Sequence, residues 1–164
     1  MDTEQALLTA IHQRITQDEV LKPLILNEDG TTRLKLLWAK KNEKFPYIVH
    51  SLDSRNLDPR VLREGTYYLD LWDYGQTATR IHEMRGQVIG ILDESLIGLI
   101  DPNNSFLSVS QPQNGEPRPI LVAARLKLTT SGMIPEDTEG IWHLALQFSM
   151  RYTRSIQEIE RLTK

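Results

Sequence analysis

The sequence predicts an α+β fold, an antiparallel or mixed sheet of about four to five strands with helices packed on one face. Three observations lead there. Near the C-terminus Leu144, Leu146, Phe148, Met150 and Tyr152 alternate with His143, Ala145, Gln147, Ser149 and Arg151, the period of a strand with one buried face. In the middle, the strand-like stretch Thr66–Gly75 runs into an amphipathic stretch from Thr77 to Ser95 with helical spacing. Strand-like segments also follow one another without a helix between each pair, which disfavours a doubly wound parallel sheet.

The elements follow in order. Asp2 or Thr3 caps a first helix whose stripe is Leu7, Leu8, Ile11 and Ile15. Asp18 to Gly30 is interrupted by Pro23 and ends in the turn Asn27–Gly30. Within Arg33–Lys41 the alternation of Leu34, Leu36 and Trp38 reads as a strand, with a helix turn as the alternative, and Lys40–Lys44 is a solvated connection. Phe45–Leu52 is a strand with Pro46 tolerable at its start or on an edge. Asp53–Glu64 reads as a loop, and the two strands around it pair most simply as antiparallel neighbours.

On the strand that follows, Tyr68, Asp70, Trp72 and Tyr74 share one face, and Tyr67, Leu69, Leu71 and Asp73 the other. The helix after it has Ile81, Met84, Val88, Ile91 and Leu92 on its packing face, with Gly86 and Gly90 as a small pair that permits close approach. Asp101–Ser105 is a turn, Phe106–Ser110 a short strand and Val122–Thr130 another. Gln111–Pro119, with its prolines and glycine, reads as a mobile loop. Ser155–Leu162 offers a short C-terminal helix through Ile156, Ile159 and Leu162, and residues 1–164 form a single domain.

Composition narrows function mostly by exclusion. With 164 residues, 40% apolar and 25% charged, the chain builds one core, and its net charge of −3 lacks the cationic excess of a generic nucleic-acid binder. There is no cysteine, hence no disulfide, thiolate metal site or thiol nucleophile. The N-terminus lacks the pattern of a signal peptide, and no apolar run is long enough to span a bilayer, so an intracellular setting is expected. His12, His50, His82 and His143 lie on separate elements without ligand spacing. Asp70 and Asp73 point to opposite faces and make a poor catalytic pair. Phosphate-loop, nucleophile-elbow and dinucleotide fingerprints are absent. The expectation is no enzyme, no cofactor and no metal.

Two readings of the aromatic-acidic face stay open. Tyr68, Trp72 and Tyr74 either lie beneath another part of the chain or meet a partner, since Trp and Tyr are enriched at interfaces. The order of the motifs then adds a resemblance. An amphipathic first helix, Phe45-Pro-Tyr-Ile-Val49, Tyr68-Leu-Asp-Leu-Trp-Asp73, a helix opening Thr77-Ala-Thr-Arg-Ile81 and the late strand Leu146-Gln-Phe-Ser-Met-Arg-Tyr152 together resemble the tail-terminator, or tail-completion, proteins of tailed bacteriophages and prophages.

That resemblance implies a non-catalytic subunit of a homo-oligomeric, typically hexameric ring that caps the tail tube and joins tail to head. The implied partners are the tail-tube protein and a head-completion or connector protein, with no membrane and no specific nucleic acid. The implied location is the virion tail, and the host cytoplasm during assembly. Closed rings use heterologous contacts, so Ser54–Glu64 and Gln111–Pro119 become candidate assembly loops. Arg55, Arg60, Arg63 and Arg85 become candidate interface donors beside Tyr68, Trp72 and Tyr74. The alternative function is an intracellular ligand- or peptide-binding domain using the same aromatic strand face.

Overall fold

The computed structural model describes residues 3–55, 62–94, 96–99, 110–113, 116–119 and 122–153. Their elements are α1 (Thr3–Gln17), α2 (Leu21–Ile25), β1 (Leu34–Leu36), β2 (Tyr47–Arg55), β3 (Leu62–Tyr74), α3 (Thr79–Leu92), β4 (Leu96–Leu99), β5 (Ser110–Gln113), β6 (Glu116–Pro119), β7 (Val122–Ile134) and β8 (Ile141–Thr153). The main sheet has the order β1-β2-β3-β8-β7-β4, while β5 and β6 pair separately. Every main-sheet pairing is antiparallel except β1 with β2. The fold is thus α+β with a mixed sheet: four long strands carry it, and the short β1 and β4 form its edges.

Period-2 geometry decides which side of the sheet is buried. Tyr67, Leu69 and Leu71 of β3 and Leu144, Leu146, Phe148, Met150 and Tyr152 of β8 all face inward. Against them lie Ala6, Leu7, Ala10, Ile11 and Ile15 of α1, and Ile81, Met84, Val88 and Leu92 of α3. Each Leu or Ile taken from water here contributes about 2 kcal/mol. Ala6 and Ala10, one turn apart and fully buried, let the α1 backbone come close to its neighbours. The other side of the sheet holds no described helix.

Gly86 and Gly90 lie off that packing face: both are exposed, and a Cβ at either meets nothing within 4 Å. The close approach expected of them does not occur among the described residues, because α3 packs through its large side chains. Alanine at both positions is therefore expected to stabilise folding by about 1–2 kcal/mol in total, since glycine in a helix interior carries only an entropic cost there. Urea unfolding at neutral pH checks this.

Several boundaries move for local reasons. Pro23 does not break the chain but sits in the first turn of α2, where its missing N–H costs nothing. Just ahead of that helix Asp18 Oδ1 accepts from the Val20 and Leu21 amides at 3.0 and 2.9 Å, and its other oxygen accepts from Gln87 of α3 at 2.9 Å. The strand expected through Trp38 stops at Leu36: Leu37 has φ +68°, and the Trp38 amide donates back to the Leu36 carbonyl at 2.9 Å. That is a γ-turn of the strained hand. Pro46 immediately precedes β2, joined to Phe45 by a cis peptide.

The loop expected over Asp53–Glu64 is shorter, since β2 runs to Arg55 and β3 begins at Leu62. Gln111–Pro119, expected as a loop, contains the backbone of the β5–β6 hairpin, with Pro112 opposite Pro117. Two strands that, among the described residues, pair with each other alone leave outward positions where proline's missing donor is harmless. The expected turn Asp101–Ser105, Phe106–Val109 of the expected strand Phe106–Ser110, Arg60 and the expected helix at 155–162 lie outside the described residues.

A polar pair lies within the core. His50 Nδ1 and the Tyr67 hydroxyl are 3.0 Å apart, and both residues are buried beneath α1. Burial, and then the proximity of His12, pushes the His50 pKa down to about 4; burial pushes Tyr67 up. The unfolded chain binds a proton at His50 below pH 6.5 while the folded chain stays neutral, so stability is full above pH 6.5 and falls as pH drops toward 4. The loss across that window is about 3 kcal/mol. His50→Gln is expected to flatten this dependence, read as the difference in urea stability between pH 7.5 and pH 5.

Candidate functional site: the open sheet face

The face opposite the described helices has two chemically different ends. At one end Tyr47, Trp72, His143 and Ile134 stand side by side in register across β2, β3, β8 and β7. The Trp72 ring lies parallel to His143, centroids 3.8 Å apart and planes at 13°, and stacks on Tyr47 at 5.9 Å on the other side. Phe45 extends the group, 5.2 Å from Tyr47 and 6.1 Å from Tyr74. Tyr74, at the end of β3, is 58% exposed. Beside this row a groove of about 380 Å³ runs between Tyr47, Val49, Asp70 and Trp72 on the sheet and Leu37 to Lys41 at its rim.

His143 is clamped. Its Nδ1 is 2.8 Å from Glu136 Oε1 and its Nε2 is 3.0 Å from Asp70 Oδ1. Each ring nitrogen thus has a carboxylate oxygen within hydrogen-bond distance. With both nitrogens engaged and Trp72 against its face, the ring presents no free nitrogen to a substrate. What the arrangement does is tie the β7–β8 turn to β3 and hold the Trp72 indole flat. No group of three or more His, Asp or Glu side chains able to hold a metal ion occurs among the described residues, and no helix of the described residues is long and apolar enough to cross a membrane.

The other end of the face is charged. Arg125 and Arg151 are directly opposed on β7 and β8, an unfavourable pairing of like charges. Each is offset by its own acid, Glu94 and Glu64 respectively, at 2.7 Å. Both pairs are well exposed and contribute little to stability. With Lys127 they line a polar groove of about 430 Å³.

Asp73, the acid opposite in orientation to Asp70, is buried at the junction of β3 and α3. It accepts from Arg80 Nε at 2.9 Å, from Arg80 Nη2, and from the Tyr74 amide at 2.8 Å. The bond to Asp73 raises the Arg80 pKa further. Trp142 Nε1 donates to the Gly75 carbonyl at 3.0 Å and locks the same corner from β8. The period-2 reading separates Asp73 from Asp70 correctly, and the structure gives it a structural partner rather than a reacting one.

The expected interface residues fall into three groups. Trp72 and Tyr74 lie together at the aromatic end, and Tyr68 stands two rows away, half-buried, opposite Ser51 and Gln147. Arg63 and Arg85 are engaged within the chain: Arg63 reaches Glu4 at 3.3 Å, and Arg85 donates to Ser131 Oγ at 2.6 Å. Of Arg55 only the β2 backbone, opposite Glu64, is described. The residues that sequence reasoning passed over are Leu37 and Trp38, which the strained turn pushes outward; Trp38 is 74% exposed. The signal available was an alternation that ended next to three lysines.

No protein-family model and no curated protein matches the chain. Among solved structures, one chain from a structure titled as the virion of a native gene transfer agent particle superposes with a TM-score of 0.57 at 10% identity, covering 91% of this chain and 94% of that one. A second match, at 9% identity and a TM-score of 0.48, carries no argument. At such identity the likeness establishes a shared fold: nearly the whole chain has the architecture of a gene transfer agent virion chain.

Proposed function

We propose that this chain is a structural protein of a phage-like virion, and within that class a tail terminator whose copies close into a ring, hexameric as is typical of the family it resembles, at the end of the tail tube. The observation that carries the reading is the shared fold over 91% of the chain with a virion chain. The sequence resemblance to tail terminators points the same way independently. The open sheet face and exposed apolar edges suit a subunit that buries surface only on assembly. A clamped histidine in place of a free base supports a non-catalytic role. The tail-tube protein and a head-completion or connector protein are the partners of this reading.

Deleting the gene for this chain from its particle is expected to give overlong tails without heads in electron micrographs. Tails of normal length bearing heads would overturn the terminator role. A second reading, a peptide-binding domain, is favoured by the groove between Trp38 and Trp72. It is distinguished by normal assembly in the deletion strain.

A further inference from the structure

The two edges of the sheet are unlike, and they complement each other. On the β1 side the γ-turn at Leu37 presents Leu36, Leu37 and Trp38 to solvent, followed by the exposed Lys40, Lys41 and Lys44. The acid among them, Glu43, is taken up by Lys35 at 3.6 Å. On the opposite side, among the described residues, β4 pairs with β7 from Val122 to Arg125. From Thr130 to Ile134, β7 pairs with β8 alone among the described residues. Met133 and Ile134, 39% and 40% exposed, lead there into the turn carrying Glu136, Asp137 and Glu139. Glu136 is held by His143, while Asp137 and Glu139 are exposed.

Both edges lie at the same level of the sheet: Leu36 is paired with His50, and that row runs on through Leu69 and Leu146 to Ser131, within the Thr130–Ile134 edge. An apolar edge left open is an association liability unless something covers it. A backbone held at φ +68° on a leucine is the kind of local strain that persists where a side chain must be presented.

Resting on the ring reading above, we infer that the edge at Leu36–Trp38 of one copy docks against the Thr130–Ile134 edge and acidic β7–β8 turn of the next copy. The occupant is a second copy of this chain, because its acidic turn matches the lysine rim and its exposed Met133 and Ile134 match Trp38 and Leu37. Two different surfaces meet, so the contact is heterologous and propagates from copy to copy until it closes. The charged rim gives register and salt sensitivity, and the apolar centre around Trp38 gives most of the affinity.

The chain has no cysteine, which makes disulfide trapping clean. The double variant Lys41→Cys/Asp137→Cys, oxidised at millimolar chain concentration, is expected to give a ladder of linked chains ending at a fixed number. The two single variants mixed are expected to give a linked dimer, and each alone none. Lys40→Glu/Lys41→Glu is expected to weaken self-association at least tenfold, and adding Asp137→Lys/Glu139→Lys to restore it. Circular dichroism of each variant verifies folding. If wild-type rings form but no ladder appears, or Lys41→Cys alone links into dimers, this interface is wrong and the ring reading stands. If neither ladder nor ring forms under any condition, including with tail tubes, both fall.

Discussion

Gly65→Ala is expected to destabilise the fold by about 2–3 kcal/mol, more than any other single methyl group added to a described glycine. Gly65 lies in β3 opposite Ser54 of β2, on the inward face. A Cβ there would stand 2.7 Å from the Asp53 carbonyl oxygen and 3.2 Å from Leu52 Cδ1. The leucine can rotate, but the carbonyl belongs to the paired strand and yields only if β2 and β3 separate. Glycine is required here for space and not for an unusual φ. Gly132→Ala is the control: its Cβ meets nothing within 4 Å, so it should be neutral or slightly stabilising. Equal urea midpoints for the two variants would contradict the close approach of β2 and β3.

Arg80→Ala should cost a further large amount, about 3 kcal/mol, for an electrostatic reason. It leaves the Asp73 carboxylate, 1% exposed, with the Tyr74 amide and without its guanidinium. The charge is then buried and largely uncompensated at the corner where β3 becomes α3. Removing the acid as well, in Arg80→Ala/Asp73→Ala, is expected to recover about 1 kcal/mol or more relative to Arg80→Ala, since the orphaned charge goes with it. If the double variant is as unstable as the sum of the singles, the two residues do not act as a pair.

The long elements were legible in the sequence because their periodicity is driven by one buried face. The alternation from His143 to Tyr152 gave β8 within two residues at its start and one at its end, and the stripe of Ile81, Met84, Val88 and Leu92 gave α3. The separation of Tyr68, Asp70 and Trp72 from Tyr67, Leu69 and Leu71 follows from strand geometry alone. What resisted was set by contacts distant in sequence. The place where β1 stops depends on the Leu37 amide bonding to the His50 carbonyl, thirteen residues on. Glu136 meets His143, and His143 meets Asp70, across three elements that no spacing rule joins. Gly86 and Gly90 show the converse: a motif suggesting close approach lies on the solvent side once the large residues choose their face.

The aromatic end of the open face was half visible. Trp72 and Tyr74 stand out by residue type, whereas the alternation of Leu34, Leu36 and Trp38 gives no sign that Trp38 is the most exposed of the large apolar side chains described. Of the candidate interface arginines, Arg63 and Arg85 hold the subunit itself together. Charge without geometry does not tell an internal clamp from an interface.

The central claim is that this chain works by closing into a ring on a tail tube. Light-scattering mass of the purified chain, with and without tail tubes lacking their terminator, tests it most directly. A discrete closed oligomer, formed alone or on tube ends where it halts further growth, is the result expected. A chain that remains monomeric at every concentration and leaves tube ends free to elongate would contradict it.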